Sequence, residues 1–277
     1  MKVAVFGSTG MAGHVISRYL RLQGHDVIDI TRADLDVERQ DQVDQFLADL
    51  EAIDFAINCV GLLVKNSADT PDRAFMINGW WPHRLARHFQ NRSTRVIHLS
   101  TDCVFDGSDG PYNELSPHTE RNAYGRSKSA GELDNHKDIT MRMSIIGPEL
   151  NRHQGLLDWA RYNPARELPG WSNALWNGIT TLELAKCIDR YIQKPQVLGI
   201  YHLVNNSNRI NKYELLSLIN HVFDLGKLIV STQGPKSINK ILIDTRCEVD
   251  WGIPDYETQL RELREFYPIA HVSPASA

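Results

Sequence analysis

The sequence predicts an α/β fold, a doubly wound parallel sheet followed by a smaller C-terminal α/β lobe. Three observations carry that reading. Short apolar runs alternate with helix-length amphipathic stretches, as buried parallel strands joined by crossover helices do. A glycine-rich stretch stands at the first strand-to-helix junction, and the rhythm breaks after Gly147-Pro148. At 277 residues the chain exceeds an ordinary domain of ~100–200 residues without reaching two.

Val3 to Phe6, four apolar residues between Lys2 and a glycine, is the first strand. Met11 to Gln23 has helical periodicity, Val27 to Ile30 is the second strand, Glu38 to Leu50 the second helix and Ile53 to Ile57 the third strand. A helix is expected from about Asp72 to Gln90. A strand from Arg95 to Leu99 follows, then a loop rich in Asp, Gly and Pro, a helix from Asn122 to about His136, and a strand from Ile139 to Met143. Residues 149–178 hold Pro164, Pro169, Gly170 and three of the six tryptophans, a mixture that suits a pocket or lid better than a sheet. Helical periodicity returns from Thr181 to Lys194, stopped by Pro195. A last helix runs from Asn211 to Leu225, with Asn211 and Glu214 spaced as a capping box and Gly226 as the stop. The Ser-Pro-Ala-Ser-Ala tail at 273–277 is expected to be disordered.

Composition narrows the function classes. Hydrophobic residues at 42% and charged residues at 23% exclude a disordered or fibrous chain. The 30 Lys and Arg against 34 Asp and Glu leave a formal charge of −4, with no electrostatic footprint for nucleic acid or an acidic membrane surface. No stretch reaches the ~18 apolar residues of a membrane span, and the apolar run near the N-terminus is too short for a signal peptide, so the expected location is cytoplasmic. Cys59, Cys103, Cys187 and Cys247 show neither disulfide-framework nor zinc spacing and read as reduced thiols. No metal is expected.

Gly7-Ser8-Thr9-Gly10-Met11-Ala12-Gly13 joins the first strand to the first helix. Glycines there let the backbone turn tightly and approach a pyrophosphate, whose charge the open N–H groups of a helix start can hold. In a βαβ context this is a Rossmann-type dinucleotide site, and Gly7, Thr9, Gly10, Met11, Ala12 and Gly13 are its expected contacts. Such a site needs a discriminating residue after the second strand. An acidic residue binds the ribose hydroxyls, whereas an arginine accommodates a 2′-phosphate. Asp29 lies within the strand and Arg32 just past it, which favours NADPH, with NADH as the alternative. Asp36 and Val37 are placed at the adenine, and Cys59, Val60 and Gly61, after Asn58, where a cofactor crosses the strand ends; Leu99 and Ser100 end the fourth strand in the same crevice. Tyr124 and Lys128, at i and i+4 on one helix, project from the same face. A free phenol has a pKa of ~10, and a neighbouring ammonium would pull it toward the working range. Thr101, in Ser100-Thr101-Asp102-Cys103-Val104-Phe105-Asp106-Gly107, offers a hydroxyl to a carbonyl undergoing reduction.

Together these residues resemble the extended short-chain dehydrogenase/reductase superfamily and, within it, the dTDP-4-dehydrorhamnose reductase family. The likeness rests on the glycine loop, the STDxVFDG block, the block from Tyr124 to Glu132 and the Met141-Arg142 strand ending. It implies NADPH-dependent reduction of the 4-keto group of a nucleotide-activated 6-deoxy sugar. Tyr124 would donate the proton, Lys128 tune it and hold the nicotinamide ribose, and Thr101 orient the carbonyl. Thr101, Asp102, Val104, Asn151 and Trp176 would face the substrate. The division expected is a cofactor domain over 1–149, rejoined by 178–194, with 150–177 and 195–277 as substrate lobe. A homodimer is left open.

The departures from the family lie on the substrate side. Cys103 replaces the usual tyrosine, Leu62 to Asn66 replaces an acidic pattern, and the segments Gly147 to His153 and Leu175 to Thr180 differ from the familiar ones. The related GDP-fucose synthases use a Cys and a His from similar positions to epimerise before reducing. A nucleotide-sugar epimerase of the same superfamily is one alternative, and Cys103 and His153 raise a bifunctional epimerase/reductase as another, against the plainer reading of a buried cysteine and a surface histidine. An NADP-binding regulatory subunit is the alternative from outside enzymology. His14, His98 and the pair Trp80-Trp81 read as packing or surface residues.

Overall fold

The computed structural model describes residues 1–151, 153–246 and 248–267; Cys247 and the tail expected to be disordered lie outside them. The first half is the expected doubly wound sheet. Strand β1 (Lys2–Phe6) leads into α1 (Gly13–Leu22), β2 (Asp26–Ile30), α2 (Gln40–Asp49) and β3 (Phe55–Asn58). Then come α3 (Val64–Asp69), α4 (Pro71–Ala74), a π-helical segment (Phe75–Trp80), α5 (Trp81–Phe89), β4 (Arg95–Thr101), a 3-10 turn (Asp102–Val104), α6 (Ala123–Ala130) and β5 (Ile139–Met143). The central sheet has six strands, all parallel. Five follow the order β2-β1-β3-β4-β5, and the sixth, β10 (Gly199–His202), pairs with β5 at the far edge.

Alternation along the strands sorts the core into two faces. Val3, Val5, Ile57, Ile97 and Met141 pack with Ile16 and Leu20 of α1 and with a later helix, α8 (Thr181–Gln193). Ala4, Phe6, Ala56 and Val96 pack on the other side with Val43, Leu47, Trp81 and Leu85. Val3 to Phe6 are wholly buried, which is why the strand reads as an uninterrupted apolar run.

Between the halves lie β6 (Ile145–Ile146), α7 (Leu156–Tyr162), β7 (Glu167–Trp171), β8 (Ala174–Trp176) and β9 (Ile179–Thr180). After β10 come β11 (Ile210–Asn211), α9 (Lys212–Phe223), β12 (Leu228–Thr232), β13 (Ile238–Asn239) and α10 (Tyr256–Phe266). The segment read as unsuited to a sheet does form strands: β7 pairs with β12, and β8 lies between β11 and β13. Their partners come from 34 or more residues later in the chain, so local periodicity could not show them. The capping box between Asn211 and Glu214 is present, and the helix ends at Asp224 in the left-handed region. Lobe and sheet share a core. Val15 of α1 and Leu182 of α8 lie in one cluster with Leu157, Leu215, Ile219 and Leu260.

Three expectations need correction. The lobe boundary at 195 put Gly199–His202 in the lobe, whereas this strand extends the central sheet beyond β5. The helix expected over 72–90 contains the π-helical segment, whose wider turn directs Asn78 inward. The helix expected to reach His136 ends at Ala130, because the chain turns there to send the Glu132 carboxylate to Arg142. No helix of the described residues is long and apolar enough to cross a membrane.

Candidate active site

The cradle for a dinucleotide forms where the strand order reverses, between β1 and β3, the place where open α/β sheets bind ligands. The Gly7 amide donates to the Ile30 carbonyl at 2.8 Å and the Gly10 amide to the Gly7 carbonyl at 3.0 Å, folding the turn against the end of β2. A side chain at Gly13 would overlap the Gly7 carbonyl, so only glycine lets α1 begin this close to the turn. No side chain caps the start of α1; the His14 amide donates to the Gly10 carbonyl at 3.2 Å, and an uncapped helix start is suited to an anion. Thr9 and Gly10 are exposed on the turn, Met11 is half-buried and Ala12 buried. Cys59, Val60 and Gly61 line the opposite side, and Gly7 approaches the Cys59–Val60 backbone. This arrangement fits a pyrophosphate.

At the end of β2, Asp29 is engaged by Arg21 at 2.7 Å, whereas Arg32 stands exposed, held at 3.1 Å by both Asp36 and Glu38. Arg73 grips Glu38 through two nitrogens at 2.7 Å and holds its carboxyl below the usual range. Val37, expected at the adenine, is 5% exposed and packs with Leu35 and Val43 in the core. An apolar residue beside a strand end reads the same in sequence whether it faces ligand or core.

Strand β4 runs two residues past its expected end and so carries Thr101 to the crevice. The Thr101 hydroxyl accepts from the Cys103 amide at 3.1 Å and donates to Asp102 at 3.2 Å. Helix α6 is capped by Asn122, which accepts from the Gly125 amide at 2.8 Å. A side chain at Gly125 would strike the Cys103 carbonyl and Glu120, so glycine here brings the helix start against the turn after β4. Tyr124 is thereby set beside Thr101, close enough for that hydroxyl to act on the phenol. The Lys128 ammonium, on the same face, donates to the Leu99 carbonyl at 2.6 Å.

The electrostatics differ from expectation. Burial, with Cys103 and Asp102 adding to it, pushes the Tyr124 phenol well above its ordinary pKa; Thr101 opposes the shift, and Lys128 is not among the groups acting on it. Burial drives Lys128 itself down to about 8 against the pull of Glu132 and Cys59.

Behind the site is a buried polar network. Ser100 donates to Glu132 at 2.5 Å, and Arg142 binds Glu132 through two nitrogens at 2.8 and 2.6 Å while reaching His202 at 2.8 Å and His118 at 2.9 Å. The Ser100 side chain, expected at the cofactor, is committed to this network. Asn58, with His98 and Trp81, fixes the end of β3. Trp81 is fully buried, whereas its neighbour Trp80 is exposed against Arg84.

Sequence reading missed Asn78. Its side chain accepts from the Leu62 amide at 2.8 Å and donates to the Leu62 carbonyl at 3.0 Å and to Ser127 at 3.1 Å, tying the loop after β3 to α6. A buried asparagine inside an apolar helix was the available signal.

On the substrate side, Asp102 is 5% exposed and burial raises its carboxyl, opposed by Lys240 and Lys212. Val104 is fully buried against Phe105, Tyr112, Val204 and Leu242 and is core rather than a substrate contact. Trp176 is 3% exposed; its indole donates to Ser144 at 2.8 Å and its ring meets Tyr256 and Lys212, so it supports the wall instead of stacking on a ligand. Asn151 is exposed in the loop between β6 and α7, and the same loop brings Gly155 against Met11. Burial pushes the Cys103 thiol up to about 12. His153 pairs with Asp158 at 3.1 Å and meets Tyr162, and no contact joins it to Cys103. Neither Lys212 nor Lys240 was singled out in sequence, since each follows a two-residue strand without a motif of its own.

A dTDP-4-keto-6-deoxy-D-glucose reductase of Streptomyces niveus is 38% identical over 130 residues, 46% of this chain and 45% of the relative. The chain thus spans about half the length of the first curated relatives it matches. A spore coat polysaccharide biosynthesis protein of Bacillus subtilis is 27% identical across 86% of this chain and 85% of its own. The crystal structure of a dTDP-4-dehydrorhamnose reductase from Bacillus anthracis in complex with NADP superposes with a TM-score of 0.82 over 95% of this chain and 98% of that one; at 20% identity the likeness shows the fold. The family described as RmlD substrate binding domain matches residues 1–146, from β1 through the glycine turn and the Tyr124 helix to β6, and the chain belongs to that family.

Proposed function

We propose that the chain is an NADPH-dependent reductase of the 4-keto group of a nucleotide-activated 6-deoxy sugar. The observation that carries the reading is the meeting of Thr101, Tyr124 and Lys128 at the carboxyl end of β4, beside the glycine cradle at the strand-order reversal. The names of the relatives support the same activity. NADPH, when bound, supplies the hydride for the carbonyl carbon. The chain supplies placement and a proton. Gly7 to Gly13 and the open start of α1 hold the pyrophosphate, and Arg32, exposed at the end of β2, takes the 2′-phosphate by exchanging its carboxylate partners for it. Tyr124, kept protonated by burial, gives its proton to the carbonyl oxygen as negative charge develops there, with Thr101 hydrogen-bonded to the same oxygen. Lys128, anchored on Leu99, holds the nicotinamide ribose. Residues 150–177 and the chain after β10 form the substrate lobe.

The test is NADPH oxidation with dTDP-, UDP- and GDP-linked 4-keto-6-deoxy sugars. Turnover is expected with at least one of them and falls by roughly 10²–10⁴ in Tyr124→Phe. Stoichiometric dinucleotide binding without turnover of any would overturn the reading in favour of a binding module.

A further inference from the structure

Ser100, Arg142 and His202 are register partners on β4, β5 and β10, so their side chains stand in one row on one face of the sheet. The row is buried, and the Glu132 carboxylate, also buried, closes over it. Glu132 accepts from the Ser100 hydroxyl at 2.5 Å and from two Arg142 nitrogens at 2.8 and 2.6 Å. A guanidinium only donates, so His202 and His118, at 2.8 and 2.9 Å from Arg142, present Nε2 to it as acceptors. Their Nδ1 hydrogens are left for the Ile243 carbonyl at 3.0 Å and the Ser129 hydroxyl at 2.5 Å. Arg142 thus holds α6 and the turn after it at two points, through His118 at Ser129 and directly at Glu132, one and four residues beyond Lys128. The Thr140 hydroxyl fixes the same turn to β5 by accepting from the Leu133 amide at 2.8 Å and donating to the Leu133 carbonyl at 3.0 Å.

On β4 this grip falls beside the reacting groups. Lys128 donates to the Leu99 carbonyl at 2.6 Å, Ser100 is the next residue and Thr101 the one after. A buried ion pair returns about what its desolvation costs, so an apolar row would hold the sheet as well. It would supply neither a directed bond to Ser100 nor a negative charge near Lys128. Of the titratable groups around that ammonium, the Cys59 thiol after β3 is pushed up to about 12, and burial keeps His98 of β4 neutral and Tyr124 of its own helix protonated. Glu132 is the carboxylate that opposes the burial of the ammonium. We propose that Glu132 is a positioning residue: held by Arg142 and bonded to Ser100, it fixes the end of β4 against α6 and so seats Lys128 on the Leu99 carbonyl with Thr101 at the cleft. The inference rests on the reading of Thr101, Tyr124 and Lys128 as the reacting groups and adds what keeps them in place.

The test reads Lys128 without turnover. In chain labelled with ¹³Cε-lysine, the Lys128 signal is assigned by its loss in Lys128→Met, and its pH titration is followed in wild type, Glu132→Gln and Ser100→Ala. Titrations with NADP⁺ and with 2′,5′-ADP, which lacks the nicotinamide ribose, accompany each. Glu132→Gln keeps the size of the side chain and removes its charge, so the ammonium gives up its proton sooner and the midpoint should fall by at least about half a pH unit. Ser100→Ala leaves the carboxylate on Arg142, so the midpoint should stay within about 0.2 unit, while NADP⁺ binding weakens at least about fivefold and 2′,5′-ADP binding is unchanged. An unmoved midpoint in Glu132→Gln overturns the proposal, as does unchanged NADP⁺ affinity in Ser100→Ala where Lys128→Met weakens it; Ser100→Ala decides if Glu132→Gln does not fold. If Lys128→Met leaves NADP⁺ binding unchanged, the ribose contact of the proposed reaction falls, and the Glu132→Gln midpoint alone decides the positioning role.

Discussion

On the proposed reading, Lys128 sets the pH behaviour of the site. Burial lowers the proton affinity of its ammonium to about 8 in the folded chain, so the charged form is present below that pH and lost above it. The kcat/KM for NADPH-dependent reduction should therefore fall along an alkaline limb near pH 8, set by Lys128 and not by the Tyr124 phenol, whose own affinity is raised. A pH–rate profile checks this; a limb that begins only above pH 10 would assign it to another group. Gly125→Ala places a methyl against the Cys103 carbonyl and Glu120, and should lower turnover more than tenfold while leaving NADP⁺ affinity within a few-fold, as the glycine cradle is untouched. Steady-state kinetics with dinucleotide titration separates the two. The Tyr124–Lys128 pair was readable because spacing on a helix fixes which side chains share a face. The burial that tunes them was not, since it depends on Cys103, Asp102 and the lobe. The same gap misplaced Val37, Val104 and Trp176.

Elements explain what residues alone do not. The fully buried Glu132–Arg142 pair joins the turn after α6 to β5, and both residues stood in the blocks on which the family resemblance rests. Breaking it with Glu132→Ala strands a buried guanidinium and should cost about 3–5 kcal/mol in urea unfolding, against under about 1 kcal/mol for the exposed pair removed in Arg261→Ala. Although burial opposes it, Arg142 and Ser100 hold the Glu132 carboxyl below its ordinary range. The stability it contributes is complete above the unfolded-state value and lost as pH falls through the folded one, so an acid unfolding transition shifted upward in Glu132→Gln is expected. The π-helical segment was beyond the reach of sequence periodicity, which marks a helix but not one extra residue in a turn. Its consequence is Asn78, and Asn78→Ala leaves the Leu62 amide without its partner, while the Leu62 carbonyl keeps the Ser67 hydroxyl.

At the scale of the molecule, the order β2-β1-β3-β4-β5 was legible because each strand and its crossover helix are neighbours in sequence. Strand β10 was not, because it returns to the sheet 56 residues after β5, from Met143 to Gly199. A chain cut after residue 194 loses that strand and the core residue Tyr201, and should show no cooperative thermal transition, whereas a true boundary at 195 would leave one intact. The strand also imposes an order in time. During synthesis the edge of β5 stays open while some fifty further residues emerge, so the first half of the chain must wait on the ribosome with an unpaired, apolar margin. The nascent chain is thus most exposed to misassembly in the interval before Gly199–His202 arrives, a hazard that belongs to the making of the protein and leaves no mark on its finished surface.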